Sequence, residues 1–446
     1  MEATLNKLKG FILNGGHGVP VESVLFLLFY FERILLLLIG NNVFALFSDH
    51  QHEVLLLEKY TCLCVIGWII LRWITGCIDQ KKFNASKGTV LAVLLAGTAV
   101  VSTVFNMGQA LAYDYFVKLG LLEVLSDTLF VFHISSCMNE KQFERLFEWT
   151  AKGTIALILF MNLISLAVYF IQPSAESIVV FGRAVTLPKC YVDPAEFRKY
   201  TRYNGFYAHA NTLGPHNYIA FIVSVCLLSK RKMNRWVFFV LLASGLYLIY
   251  LSHSRTSYVV LTFIALYSLL LYMHRKHRDK RKTSALILAM ILIAFAAAGL
   301  LEKNTLRTFT ELFAQSPYVA FNALTSARID VWTDAINKFL SSPLIGVGWN
   351  VPFVAGANTA HNIFLTVLAW TGICGTAVFA AILITAWQKG RARRLFSKEP
   401  WYLCLVLSVL LQCMTEQGIL GDSRHVYTYL FWLLLGYFAL PHRAEN

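Results

Sequence analysis

Charge is what this sequence has least of. Only 14% of its 446 residues are charged, 57% are apolar, and the mean hydropathy is +0.57. Soluble domains carry about 25% charged residues and are about half apolar, so the composition excludes a soluble globular domain and implies a polytopic membrane chain. No small-residue cleavage site follows the N-terminal MEATLNKLKGFILNGGHG, and the first apolar run is too long for a signal-peptide core. No cleavable signal is expected. Metal-ligand spacing is also missing: Cys62 and Cys64 have neither the spacing nor the exposure of a zinc site. Most of the nine cysteines fall within apolar runs, where they read as packing residues, and Cys190 alone sits in a large loop with no obvious disulfide partner. No internal repeat is visible, which counts against a transporter of duplicated halves.

What is present are apolar runs long enough to span a bilayer, about 20 residues each. They fall at 22–47, 54–78, 88–108, 113–137, 151–172, 214–229, 234–252, 255–273, 284–301, 361–387, 401–417 and 424–441, twelve in all. The net charge of +14 has a topological reading. Lys7 and Lys9, Lys81, Lys82 and Lys87, Lys141, Arg145 and Lys152, KRKMNR at 230–235, HRKHRDKRK at 274–282, QKGRARRLFSK at 388–398 and Arg443 all fall on one side of that count. The opposing short links SDHQHE at 48–53 and 108–112 hold no Lys or Arg. Positive-inside asymmetry therefore explains the basic balance, places both termini in the cytoplasm, and removes the case for a nucleic-acid partner.

The expected fold is a single all-α integral membrane domain over residues 1–446, with about twelve transmembrane helices and two large outer loops, 172–209 and 302–360. The second loop, between spans nine and ten, contains a predicted amphipathic helix. Ile329, Trp332, Ile336, Phe339 and Leu340 recur at helical spacing, Ser326 is a candidate N-cap, and Pro343 stops the helix. Asp330 in the first turn and Lys338 near the end match the helix dipole. Such a helix would lie on the membrane surface or over the mouth of the bundle, holding Arg328 near the bilayer plane, with GVGWN as a flexible connector behind it. Charges inside spans (Glu32, Arg33, Arg72, Lys118, Glu123 and Asp127) are expected to pair between neighbouring helices, and no further role is assigned to them.

Four outer-facing residues converge on one chemistry. Arg202 lies in the first loop, Arg255 at a short link in LSHSRTSYVVL, Arg328 heads the amphipathic helix, and His361 begins a span with Asn358 or Thr359 as candidate cap. The positive end of a helix dipole disfavours imidazolium, which leaves a neutral His361 suited to accept a proton. Guanidinium forks bind phosphate oxygens bidentately and neutralise a leaving diphosphate, as a metal does elsewhere. One base with several phosphate clamps suggests group transfer from a lipid-linked phosphate donor. His50, His52, His209 and His216 read as interfacial polar residues, His209 being nearest the Arg202 segment.

The motifs resemble the O-antigen ligase and O-antigen polymerase family. Its pattern of Arg-x-x-x-Trp, then Pro-Leu-x-Gly-x-Gly, then His-Asn-x-x-Leu and Gly-x-x-Gly falls here on Arg328, Trp332, Pro343, Leu344, Gly346, Gly348, His361, Asn362, Leu365, Gly372 and Gly375. RYNGFYAHANTLG is similar to the family's Arg-x-x-Gly-x-Phe-x-x-x-Asn stretch, on Arg202, Gly205, Phe206 and Asn211, and SHSRTS resembles its Ser-Arg element at Arg255. Ala210 stands where the family often has proline. The motifs cover residues 198 to 380, while the N-terminal third agrees in hydropathy only.

That resemblance implies a GT-C-like, inverting, metal-independent glycosyltransferase of the inner (cytoplasmic) membrane, needing no cofactor and acting on the outer face. Its donor would be an undecaprenyl-diphosphate-linked glycan and its acceptor a glycan or lipid-glycan hydroxyl, among membrane lipids, in lipopolysaccharide or other cell-envelope polysaccharide biosynthesis. His361 would deprotonate the acceptor; Arg202, Arg255 and Arg328 would hold the diphosphate; Asn362, Trp332 and Asn211 would support the site. The same residues suit a ligase and a polymerase alike. The rival reading, a flippase or transporter of lipid-linked oligosaccharide, rests on the charges in the fourth span; a structural scaffold leaves the outer cations unexplained.

Overall fold

The computed structural model describes residues 21–40, 51–80, 87–110, 114–171, 177–180, 183–186, 190–192, 201–207, 210–274, 293, 313–314, 316–318, 328–354, 359–415, 420 and 425–440. Its main helices are α1 (Val21–Gly40), α2 (Gln51–Gln80), α3 (Lys87–Phe105), α4 (Asp114–Cys137), α5 (Glu140–Ile171), α6 (Ala210–Ser229), α7 (Arg235–Ser252), α8 (Arg255–His274), α9 (Arg328–Ser341), α10 (Ile363–Ala392), α11 (Pro400–Cys413) and α12 (Val426–Phe438). Eleven of the twelve expected runs overlap one of these helices, α9 being the loop helix; of the run 284–301 only Ile293 is among the described residues. By length and composition α3, α5, α6, α7 and α10 can each cross a membrane, and α8, α11 and α12 are shorter apolar helices.

The first long loop adds what an all-α expectation omits. Strands β1 (Ser177–Val180) and β2 (Arg183–Thr186) form one antiparallel ribbon, and β3 (Cys190–Val192) and β4 (Thr201–Tyr203) another, with Arg202 opposite Tyr191. Val and Ile in SIVV and RAVT favour the pleated backbone over a helix.

Two helices form the axis of the packing. Every residue of α12 from Val426 to Phe438 is buried, and the helix packs against α1, α4, α6, α10 and α11. A helix apolar on all sides belongs inside a bundle. The second axis, α6, packs on α5, α7, α8, α11 and α12. Lipid offers no hydrophobic drive between helices, so close backbone approach and polar links hold them. Gly214 of α6 sits against Ser257 of α8, where an added Cβ would lie 1.7 Å from Oγ. Asn162 of α5 donates to Asn217 of α6 (2.7 Å), and Tyr207 donates to Asn162 (2.9 Å). Of the charges within spans, Asp127 of α4 accepts from the neutral Tyr429 hydroxyl of α12 (3.4 Å), a link between helices but not the expected pairing of opposite charges.

Opposite ends of the bundle differ in charge chemistry. Where α6 meets α7, Lys230 pairs with Glu399 (2.9 Å) and Glu144 (3.3 Å), and Lys232 pairs with Glu148. Burial alone would pull the Lys230 pKa down, but Glu399 and Glu144 more than reverse it and hold the ammonium above its ordinary range. This knot joins α5, the α6–α7 turn and the start of α11.

The apolar run of α10 is two helices rather than one. Gly372 has φ 62° and ψ −161°, outside helical space, and the segment after α9 enters the break. Val347 donates to the Ala369 carbonyl (2.9 Å) and Gly348 to that of Trp370 (3.2 Å); Ile373 and Cys374 donate to Pro343 (2.8 Å) and Leu344 (3.2 Å). Four backbone groups freed by the break, the carbonyls of Ala369 and Trp370 and the N–H groups of Ile373 and Cys374, are thus satisfied by the loop. The GVGWN segment is therefore no flexible connector. Ser102 of α3 and Asn106, just past its end, close the interlock: Ser102 Oγ donates to the Trp370 carbonyl (2.6 Å), and Asn106 Nδ2 donates to the carbonyls of Ser102 (2.8 Å) and Gly346 (3.0 Å).

Candidate functional site

The other end of the bundle gathers the start of α6, the α7–α8 turn, the end of α11 and the start of α10. Arg202, on β4, is buried; its Nε donates to the Ser252 carbonyl (2.9 Å) at the end of α7, and an Nη donates to Asn211 Oδ1 at the start of α6. Charge-assisted donors of this kind tie β4 to two helix termini at once. Ser252 Oγ accepts from the Ser254 N–H (3.3 Å), and Ser257 Oγ donates to Ser254 Oγ (2.9 Å), so the turn bearing Arg255 is cross-braced by hydroxyls. Arg255 is the first residue of α8, half-buried, with no hydrogen-bond or ion-pair partner among the described residues.

From Arg255 a short chain of contacts reaches His361. Thr415, just past α11, donates to Thr256 Oγ1 (3.2 Å). The neighbouring Met414 carbonyl accepts from Asn362 Nδ2 (3.3 Å). Asn362 is the N-cap of α10, its Oδ1 accepting from the N–H groups of Phe364 (3.0 Å) and Leu365 (3.2 Å). Asn362, not Asn358 or Thr359, caps this helix: Asn358 lies outside the described residues, and Thr359 Oγ1 accepts instead from the His361 N–H (3.4 Å). His361 stands one residue before the cap, half-buried, its Nδ1 screened from solvent, at a left-handed φ of 49°. Such a φ costs a non-glycine residue about 1–2 kcal/mol and holds His361 immediately before the capped start of α10.

Arg328 arrives on a different element, as the half-buried first residue of α9, which packs along α10. Trp332, one turn later, packs against the core with its indole N–H buried and unpartnered. Arg202, Asn211, Arg255, His361 and Asn362 are thus joined through contiguous contacts, while Arg328 and Trp332 stand on α9, which packs on α10. The candidate cap Ser326, His50 and His209 fall outside the described residues.

His216 departs from the interfacial position expected of it. It is buried, its Nδ1 lies 2.7 Å from the Thr212 carbonyl, and its ring meets those of Tyr207, His425 and Tyr427. The cause is α6 itself, the inner axis of the bundle, whose polarity at Asn211, Thr212 and His216 reads locally as a wet helix end. Thr256, Met414 and Thr415 were also not readable as site residues, because hydroxyls and a backbone carbonyl at helix ends carry no pattern of their own.

The class is a multi-pass membrane protein that collects guanidinium, imidazole and amide groups at one end of a helical bundle. Comparison with known proteins narrows it: residues 238–380 match the model of the family described as O-Antigen ligase, the family the motifs resemble. That stretch includes Arg255, Arg328, Trp332, His361 and Asn362; Arg202 and Asn211 precede it. The chain is similar to the General O-oligosaccharyltransferase of Acinetobacter baylyi, 26% identical over 226 residues, covering 45% of this chain and 39% of the relative. It is also similar to the Exopolysaccharide production protein ExoQ of Rhizobium meliloti, 25% identical over 142 residues, covering 27% and 32%. The chain therefore spans well under half the length of either relative.

Proposed function

We propose that this protein is a membrane glycosyltransferase that moves a glycan from an undecaprenyl-diphosphate carrier to an acceptor hydroxyl on the outer face of the inner membrane. In this reading the acceptor O–H gives its proton to His361 as its oxygen attacks the anomeric carbon. The bond from that carbon to the diphosphate oxygen breaks, and the leaving diphosphate keeps the electron pair. One displacement from the opposite face inverts the anomeric configuration. Arg255 and Arg328 hold the diphosphate and neutralise the charge it gains. Arg202 contributes to the same field and also braces the α7–α8 turn through Ser252. No metal is required, because fixed guanidiniums supply the cationic charge. Asn362 sets the approach of His361 by capping α10 and anchoring to Met414.

The observation that carries the reading is the continuity from Arg255 through Thr256, Thr415, Met414 and Asn362 to His361, which brings a base and a guanidinium to one end of the bundle. The names of the two relatives agree with a role in cell-surface polysaccharide assembly, as ligase or polymerase. The test is reconstitution in liposomes with a defined undecaprenyl-diphosphate glycan and two acceptors, lipid A-core and a second lipid-linked repeat. Wild-type protein transfers glycan to one of them. His361→Ala inserts and accumulates normally but transfers none; retained transfer in that variant removes His361 from the chemistry.

A further inference from the structure

The helix after Arg328 has its amphipathicity inside out. Its buried residues are the small Val331 and Ala335, whereas Ile336, Leu340 and then Leu344 are 45%, 63% and 68% exposed along one ridge. Its charged pair turns the other way: Lys338 bonds Asp334 (2.6 Å) and lies over the Phe353 ring (5.6 Å), and Asp334 accepts from the Val354 N–H (3.0 Å). Ser341, also exposed, satisfies its hydroxyl on its own helix, donating to the Lys338 carbonyl. In water that arrangement exposes leucine while turning the Asp334–Lys338 pair to the protein side; the exposed polar residues are Asp330 and Thr333 nearer the helix start, with Asn337 and Ser341 beside the ridge.

Depth resolves it. The loop behind α9 is bonded to the broken α10 at Ala369, Trp370, Ile373 and Cys374. Gly372 lies nine residues beyond Ile363, about 14 Å along a helix rising 1.5 Å per residue, close to the middle of a hydrocarbon layer about 30 Å thick. Leu344 must share that depth, since its carbonyl accepts from Cys374 (3.2 Å). It also shares the surroundings of Ile373, which is 52% exposed on the spanning helix. Irregular backbone is tolerated at such depth only where protein satisfies it. Here Gly346, Val347, Gly348 and Trp349 are all buried, and Ser102 of α3 and Asn106 just past it add hydrogen bonds to the Trp370 and Gly346 carbonyls.

We propose that residues 328–354 form a re-entrant hairpin, a helix in and an extended segment out, whose Ile336–Leu340–Leu344 ridge lies against lipid acyl chains about half-way through the membrane. It is neither a surface helix nor a lid over the bundle mouth. The occupant of the exposed face is the bilayer, because apolar side chains and internally satisfied polar ones are what that medium selects. The inference stands whether or not the protein transfers glycans.

Spin labels at Leu344→Cys and Leu340→Cys, in cysteine-free full-length protein reconstituted into phosphatidylcholine liposomes, test it. Ile373→Cys serves as the mid-membrane reference and Tyr318→Cys, exposed beside Asp330 at the polar start of α9, as the reference at the outer end of that helix. The label at 344 is expected to collide with oxygen and to be shielded from a water-soluble nickel chelate, matching position 373 to within one helical turn, about 5.4 Å. The label at 340 should show the same preference for oxygen. Nickel accessibility at 344 equal to that at 318 overturns the proposal. If the cysteine-free chain does not fold, a benzophenone amino acid at 344 of the otherwise native chain decides the matter: light-driven crosslinks to phospholipid support the hairpin, and their absence beside efficient crosslinking at 373 refutes it.

Discussion

Replacing Gly372 by alanine attacks the interlock that fixes α9 and the loop behind it. An alanine there must hold φ 62° and ψ −161°, a region occupied almost only by glycine and costing about 1–3 kcal/mol. Its Cβ would also lie 2.5 Å from both the carbonyl carbon and the oxygen of Leu344, and 2.7 Å from the Gly346 nitrogen. Those are backbone atoms, so no rotamer change relieves the overlap, and the loop must withdraw. Withdrawal breaks the hydrogen bonds from Val347, Gly348, Ile373 and Cys374. At a net value of about 1 kcal/mol each, losing even two brings the total to about 3–5 kcal/mol. Gly67 of α2, with nothing within 4 Å of an added Cβ, is the control; alanine there should be neutral or stabilise by up to about 1 kcal/mol. The assay is thermal unfolding in detergent, read as the loss of the monodisperse peak in size-exclusion chromatography. Gly372→Ala should lower the midpoint by on the order of 5 °C or more, while Gly67→Ala leaves it unchanged or raises it. A Gly372→Ala protein as heat-resistant as wild type would mean that the loop does not occupy the break.

Other substitutions separate chemistry from scaffold. Arg255→Lys keeps the charge but loses the planar fork, so transfer should fall at least about tenfold with normal yield; undiminished turnover would reduce Arg255 to an interfacial anchor. Asn362→Ala removes a cap typically worth about 1 kcal/mol together with the link to Met414, and should lower both thermal stability and transfer, whereas Asn362→Asp should restore the cap and most of the stability. Lys230→Met breaks the knot at the far end and should cost about 1 kcal/mol without changing substrate affinity; a shift in KM would contradict that placement. Because the folded-state pKa of Lys230 is raised, its contribution is complete below the ordinary lysine range and disappears as pH rises through the raised value. The wild-type and Lys230→Met melting curves should therefore differ across neutral pH and converge only in strong alkali.

How much was legible follows from the range of each signal. The spans were readable because membrane solvation acts on every run of about 20 residues separately, and eleven of twelve expected runs meet a described helix. Arg255, Arg328 and His361 stood out because charge is costly beside a membrane and each interrupts an apolar or amphipathic pattern. What stayed hidden depends on partners distant in the chain. The break in α10 is invisible in IFLTVLAWTGICG, since a helix tolerates a lone glycine; it becomes intelligible only with Gly346 packed on the Trp370–Thr371 peptide and Ser102 on the Trp370 carbonyl. The burial of His216 likewise depends on which helix forms the axis, and no local pattern records that.

The motif residues therefore divide into two kinds that mutation can tell apart. Gly346 and Gly372 are present because two backbones touch, with left-handed φ values of 74° and 62° and no room for a Cβ. In the proposed reaction Arg255 and His361 carry the chemistry, at a polar end whose braces are mostly made by other residues, namely Ser252, Ser254, Thr256, Thr415 and Asn362. Substituting a glycine of the interlock should remove heat resistance and transfer together. Substituting His361 should remove transfer and leave the fold intact, since alanine carries the same left-handed backbone cost as histidine at that position. If the His361 variant instead melted early, the histidine would belong with the glycines as part of the scaffold, and the base of the proposed reaction would have to be sought elsewhere at that end, with His253, two residues before Arg255, and the paired rings of His216 and His425 the imidazoles to try.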